Sequence, residues 1–378
     1  MGLVALALYV HWPWCVHKCP YCDFNSRGGL FRINESRYIA ALLADLSQVA
    51  HTVSRPVTSV FFGGGTPSLM TSKGFDALMR GIGERVDLAH DAEITLEANP
   101  GTVTEEKLAA FARSGVTRLS LGVQSFNAAS LSFLGRIHTA RQAREAVTWA
   151  KNTFAHVNID MMYALAGQTQ ADLRADAEEA VSFNTDHLSY YELTIEPGSV
   201  FFKRPPENLP DADTAGDMAE CIQTITRKAG FDHYEVSAYA KAGSRCRHNM
   251  TYWTYGDYLA IGAGAHAKIT TPDGAVFREV RAKSPVRYMT DVENGTFVQR
   301  RRRVRSEEIP FEFMLNVLRL REGVAKERWE EATGLPYALI APKVASLQRE
   351  GLMEKTDRLA ATALGRRFLN TLQERFLP

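Results

Sequence analysis

"LALYVHWPWCVHKCPYCDF" (6–24) is the stretch on which the fold turns. Its first part, LALYVHW (6–12), is an apolar run of strand length that leads straight into three cysteines. Cys15, Cys19 and Cys22 form C-x3-C-x2-C, so three sulfurs can converge above the carboxyl end of a first strand, where barrel folds hold their chemistry. Three thiolates can each take one iron of a cubane cluster and leave the fourth iron without a protein ligand. Zinc competes for the same loop, because His11 and His17 are close. Structural zinc loops usually add a second C-x2-C pair, which this sequence lacks.

The wider composition restricts the remaining choices. The chain has 378 residues, enough for one large α/β unit and an appendage. Hydrophobic content of 45%, charged content of 23% and a net charge of +1 describe an ordinary globular protein with no global pull toward nucleic acid or lipid. The opening residues lack a basic n-region and a cleavage site, and no run approaches the roughly 18–20 apolar residues of a membrane span. A soluble, cytoplasmic protein with reduced thiols is expected. Of the other two cysteines, Cys246 stands apart, and Cys221 lies in the helix-like run DTAGDMAECIQTITRKAG (213–230), where it reads as a small buried hydrophobe.

Six short apolar or aromatic runs alternate with helix-like segments, the grammar of a parallel α/β sheet. They are LALYVHW (6–12), SVFFGG (59–64), EITLEA (93–98), RLSLGVQ (118–124), HVNIDMMYAL (156–165) and HLSYYELTIE (187–196). Helices are expected between them, among them ESRYIAALLADLSQVA (35–50) and a segment opened by Thr104 as N-cap and closed by Gly115. Six units fall short of the eight of a closed barrel, which favours a partial barrel over a doubly wound sheet.

Beyond a Pro-rich connector, KRPPENLPDAD (203–213), a Gly-, Tyr- and His-rich region (230–270) shows no clean period. The basic run QRRRRVR (299–305) reads as a solvated face or linker, with an anionic membrane surface or acidic partner as the second choice. From about 306 the text is mainly helical and suggests a small winged-helix unit. Three parts are expected: 1–230, 231–305 and 306–378.

Three further motifs end predicted strands. In FFGGGTPS (61–68) the glycines let a backbone turn present its amides to a ligand without Cβ interference, although a plain tight turn reads equally well. LEANPG (96–101) supplies Glu97 and LGVQSF (121–126) supplies Gln124, a carboxylate and an amide suited to the amine and hydroxyls of a nucleoside ligand. LGRIHTAR (134–141) and NIDMMYAL (158–165) supply Arg136 and Asp160, which on their own read as structural ion-pair partners.

Taken with GGGTP, CVHKCPYC resembles the signature of the radical S-adenosylmethionine (SAM) superfamily. The resemblance implies a partial (β/α)6 barrel. It also implies a 4Fe-4S cluster on Cys15, Cys19 and Cys22 whose open iron chelates SAM. Tyr9, GGGTP, EANP, GVQSF and NID ahead of Gln168-Thr169 are similar to the coproporphyrinogen oxidase-like branch. Carried over by motif, Tyr9, Gly64 and Glu97 contact the SAM at the cluster. Tyr21, Gly65, Thr66, Gln124, Arg136 and Asp160 match positions that contact a second SAM in the oxidase.

Two departures argue against the oxidase itself. Phe24 stands where its fourth cysteine would be, and its longer N-terminal extension has no counterpart here. CRHNMTYW (246–253) carries His248-Asn249 and Tyr252-Trp253, the HNxxYW pattern of the HemW group of haem chaperones. That resemblance implies haem held by an imidazole and flat aromatic faces, here His248, Tyr252 and Trp253. It further implies haem-accepting partner proteins, membrane-associated ones among them, and an electron donor for the cluster. The alternative is a radical decarboxylase of coproporphyrinogen III. A tRNA or RNA modifier is disfavoured by the near-zero charge and the lack of a basic, aromatic-lined stripe, so no nucleic acid is expected.

Overall fold

The computed structural model describes residues 6–29, 34–51 and 54–378. Residues 1–5, part of the opening read for a leader, lie outside them. The first half of the chain folds as β1 (Leu6–Trp12), β2 (Val57–Gly64), β3 (Leu88–Ala98), β4 (Arg118–Gln124), β5 (His156–Tyr163) and β6 (His187–Glu192). These strands pair in chain order, each parallel to the next. All six runs expected from the sequence are present. Pairing in strict succession gives the partial barrel and not the order reversal of a doubly wound sheet.

Helices α1 (Glu35–Ala50), α2 (Ser72–Gly83), α3 (Glu105–Arg113), α4 (Ala140–Thr153), α5 (Gln170–Ser182) and α6 (Ala212–Lys228) lie along this half. Their boundaries follow local chemistry. Thr104 accepts the Lys107 N–H at 3.3 Å to cap α3, Gly115 with φ of 101° ends that segment, and capping boxes at Thr139 and Thr169 open α4 and α5. Alternation along β1 divides its side chains. Leu6, Leu8, Val10 and Trp12 join Tyr38, Leu42 and Leu46 of α1 in the main core, while Tyr9 and His11 line an interior cavity.

The second half extends the same sheet, which the sequence does not reveal. Strands β7 (Asp232–His233), β8 (Ala238–Ala240), β9 (Asp257–Ile261), β10 (His266–Thr270), β11 (Val276–Val280) and β12 (Arg300–Arg303) complete the order β12-β11-β10-β9-β1-β2-β3-β4-β5-β6-β8-β7. Strand β9 runs parallel to β1 with Tyr9 opposite Ala260. Of the two readings of the arginine run, a solvated face or a linker, the linker is corrected to a strand antiparallel to β11, and its side chains are mostly exposed as a solvated face requires. Its charges are matched locally: Arg301 reaches Glu279 at 3.5 Å and Arg302 reaches Glu308 at 2.6 Å.

Short helix α7 (Arg247–Trp253) sits beneath the barrel, and α8 (Pro285–Glu293) packs on α1. At the C-terminal end, α9 (Ile309–Val317), α10 (Glu327–Thr333) and α11 (Ala341–Arg349) combine with a two-stranded ladder of Val324–Ala325 and Arg358–Leu359. They build a second core around Trp329, Phe313 and Leu347 that also takes in Tyr255 and Val276. Glu312 of α9 fastens this core to the sheet by accepting from Tyr255 Oη at 3.0 Å and Arg278 Nη2 at 2.9 Å. Among the described residues no helix is long and apolar enough to cross a membrane.

Candidate cofactor site

The carboxyl ends of β1 to β6 open into a cavity of about 370 Å³ lined by Cys15, Cys19, Tyr21, Cys22, Gly64, Gly65, Thr66, Glu97, Gln124, Arg136 and Asp160. Residues from six sequence motifs thus face one space. Tyr9 is the exception, since it lines the adjoining cavity together with Gly64 and Glu97. The glycine turn is stitched to the lead of the cysteine loop: Gly65 N–H donates to Trp12 O at 2.7 Å and Thr66 N–H to Trp14 O at 2.8 Å. A Cβ on Gly65 would lie 2.6 Å from Trp14 O and 2.8 Å from Trp12 O, both backbone atoms that cannot step aside. Gly65→Ala is accordingly expected to lower stability by about 1–3 kcal/mol and to weaken SAM binding. A denaturant midpoint and a SAM titration of the same preparation measure both.

The electrostatics suit a nucleoside with a polar tail. Glu97 is pushed up to about 8 by burial and by the neighbouring Asp160 charge, against the pull of Gly64 N–H, which it accepts at 3.1 Å. Asp160 is also raised by burial, opposed by bonds from Ser120 at 2.9 Å and Asn158 at 2.8 Å. Gln124 ends β4 with φ of 72°, a left-handed conformation rare outside glycine, and its buried Oε1 has no hydrogen-bond partner among the described residues. Arg136 is already engaged. It donates to Gly122 O at 2.6 Å and to Cys19 Sγ at 3.5 Å, and so orients a cysteine.

Sequence reasoning missed the polar floor of this cavity. Ser120, Asn158 and His187 occupy one level of three neighbouring strands, with Gly122, Asp160 and Ser189 on the next. His187 bonds Asn158 Oδ1 at 2.6 Å and Tyr234 Oη at 3.0 Å. The signal was present as polar residues at alternate positions in RLSLG, HVNID and HLSYY, the period of a strand with one face turned inward. Arg118, only 2% exposed, closes the bottom beside Cys246.

His248 is engaged within the fold. Its ring is 1% exposed, Nδ1 is hydrogen-bonded to Ser59 Oγ at 3.1 Å and Nε2 to Tyr252 Oη at 2.7 Å. Burial lowers it to about 3. Both nitrogens are hydrogen-bonded within the fold, which locks α7 against β2. Glu93 completes the lock by accepting the backbone N–H groups of Arg247 and His248, each at 3.1 Å. Tyr252 and Trp253 do reach a ligand space. They line the second cavity, of about 950 Å³, with Tyr252 edge-on to Tyr258 and Trp253 under the Arg319 guanidinium.

The residues present fit a cluster with an open iron. Three part-exposed thiols share a cavity, yet among the described residues no three His, Cys, Asp or Glu side chains are grouped as ligands of a single ion, the arrangement zinc would need. Separate irons on separate thiolates do not require that convergence. The unpartnered Gln124 oxygen and the exposed edge of the glycine turn supply contacts for an organic ligand beside it.

Comparison with known proteins agrees with this geometry. Residues 9–180 match the Radical SAM superfamily and residues 304–368 the HemN C-terminal domain. The chain is 42% identical to the heme chaperone HemW of Haemophilus influenzae over 99% of this chain and 98% of that protein. It is also 42% identical to the heme chaperone HemW of Escherichia coli, over 99% of each. A mitochondrial radical S-adenosyl methionine domain-containing protein 1 from Bos taurus is 35% identical over 93% of this chain and 82% of its own length. Among solved structures, coproporphyrinogen III oxidase (HemN) from E. coli superposes with a TM-score of 0.83 at 21% identity, covering 98% of this chain and 90% of that one, a likeness of fold. The chain belongs to the HemW family of the radical SAM superfamily.

Proposed function

We propose that this protein is a haem chaperone that binds haem, a 4Fe-4S cluster and SAM, and passes haem to haem-requiring proteins. The observation that carries the reading is the near-complete, 42% identical match to proteins named for that activity. The presence of Phe24 in place of a fourth cysteine is consistent with it. In this reading Cys15, Cys19 and Cys22 hold the cluster, which when bound supplies an electron and an open iron for SAM.

The chain's own groups do the rest. Arg136 orients Cys19, and Gly64, Gly65 and Thr66 offer backbone edges to the methionine end of SAM. Glu97 accepts from its amine, and Gln124 Oε1 accepts from a ribose hydroxyl. Tyr21 and Asp160 border the same space, and Tyr9 steadies the wall shared with the second cavity by donating to His11 Nδ1 at 3.0 Å. Burial of the metal-free Cys15 and Cys22 thiols raises them, so loading the cluster displaces protons.

Titration of cluster-loaded protein with ferric haem, run beside an assay for porphyrinogen decarboxylation, tests the reading. A shifted Soret band with no decarboxylation is the expected result. Conversion of coproporphyrinogen to protoporphyrinogen without a Soret shift would overturn it in favour of the oxidase.

A further inference from the structure

Since both nitrogens of His248 are spoken for, the iron ligand must be sought elsewhere. The cavity of about 950 Å³ beside the cofactor site is at the upper end of the ~300–1,000 Å³ typical of ligand cavities. Its walls are the inner face of β1, the α7 aromatics and the start of β10, and it shares Gly64, Glu97 and Phe24 with the smaller cavity. Two histidines line it, His11 and His266. His11 is 5% exposed and fully used: Nε2 donates to Asn25 O at 3.0 Å, so Nδ1 is the acceptor for Tyr9 Oη. His266 is exposed, and neither of its ring nitrogens has a hydrogen-bond partner among the described residues.

The position of His266 is fixed by the loop before it. Gly262 and Gly264, with φ of 105° and 77°, turn the chain between β9 and β10. Asn25 Nδ2 staples that turn to the cysteine loop by donating to Ala263 O at 2.9 Å and Lys283 O at 3.0 Å. An imidazole held this way is a ligand on a rigid support, as a metal site requires. Flat surfaces flank it. Tyr252, Trp253 and Tyr258 line the same cavity, and so does Phe24, 58% exposed, an uncovered apolar ring with no role in the core. Lys18, Arg27 and Lys283 stand at the rim against one exposed carboxylate, Asp23, a balance suited to the two propionates of haem.

Resting on the haem-chaperone reading, we infer that haem seats in this cavity with His266 as its axial ligand, Phe24 and the α7 aromatics against the macrocycle, and Lys283 and Arg27 at the propionates. An exposed ligand in an open cavity also suits a protein that must give its cargo away.

The test is a ferric haem titration of full-length wild type and of His266→Ala, His248→Ala and Lys283→Glu, each verified as folded by circular dichroism. Soret position and the low-spin electron paramagnetic resonance signal are recorded. The inference expects a histidine-type spectrum in wild type and its loss in His266→Ala with affinity reduced at least ~10-fold. Added imidazole should restore the signal, and Lys283→Glu should weaken binding with the band unmoved. A wild-type spectrum in His266→Ala, with loss in His248→Ala, would sink this site and leave the chaperone reading standing. No Soret shift in wild type would sink both.

Discussion

Cys15→Ser protein, reconstituted anaerobically with iron and sulfide, is expected to lack the broad visible absorbance of a thiolate-bound cluster and to bind SAM at least ~100-fold more weakly than wild type. The cluster has three protein ligands in this reading, so one lost thiolate leaves two, and a serine hydroxyl does not ionise at neutral pH to replace it. Even outer-shell changes at metal sites cost ~10–100-fold. The fold should survive. Cys15 is part-exposed at the end of a two-residue strand with Arg27–Gly28, and serine is isosteric with it apart from the smaller oxygen. Iron and sulfide counted per chain decide the matter, with circular dichroism as control. Full iron content in the variant, or zinc in the wild type, would refute the assignment of the loop.

Glu97→Gln is expected to lower SAM affinity by ~10–100-fold, the range for losing a hydrogen bond to a charged partner, and to flatten its pH dependence. The carboxyl sits at about 8 in the folded chain, above its ordinary 4.5. The sign follows from that direction. Between these values the folded protein holds a proton the unfolded chain has released, so Glu97 costs the metal-free fold stability as pH rises toward 8. A protonated carboxyl has one good acceptor oxygen, and Gly64 N–H competes for it. Ionisation frees a second for the SAM amine. Wild-type affinity should therefore climb as pH rises through about 8, while the glutamine variant stays level. Calorimetric titration across that window measures both, and an unchanged slope in the variant would remove Glu97 from the binding site.

Much of the barrel is legible because its strands are buried on both sides and its helices announce their caps. RLSLGVQ is read to the residue, and Thr104 caps α3 as its side chain requires. DYLAI, which forms β9, is only five residues long, and it follows a helix and a three-residue turn (254–256) with no alternation to flag it. Its identity as a strand comes from the β1 edge it completes. Four arginines carry no strand propensity at all. They are extended because β11 offers a ladder and Glu279, Glu308 and Glu312 offer counter-charges.

The site divides in the same way. Strand-end residues such as Glu97 and Gln124 converge because the parallel array carries every strand's carboxyl end to one mouth, a placement implicit in the order of motifs. His248 shows what order cannot give. HNxxYW states that an imidazole and two aromatic rings are near each other, whereas the direction of a side chain on a seven-residue helix depends on what lies beneath it. Beneath α7 lie Ser59 and Phe61, and the ring turns to them, its centroid 5.0 Å from that of Phe61 with the two planes tilted by 31°. The histidine open to a ligand, His266, had no motif to advertise it.

Strand β12 has a consequence for how copies of this molecule meet. An open sheet of twelve strands has two unsatisfied ends, each a template on which another chain could continue the ladder. One end is β7, two residues long. The other presents consecutive arginines whose like charges would oppose their own counterparts if two copies aligned there. A short strand at one margin and a charged one at the other both blunt strand addition, the devices by which open sheets limit edge-to-edge association.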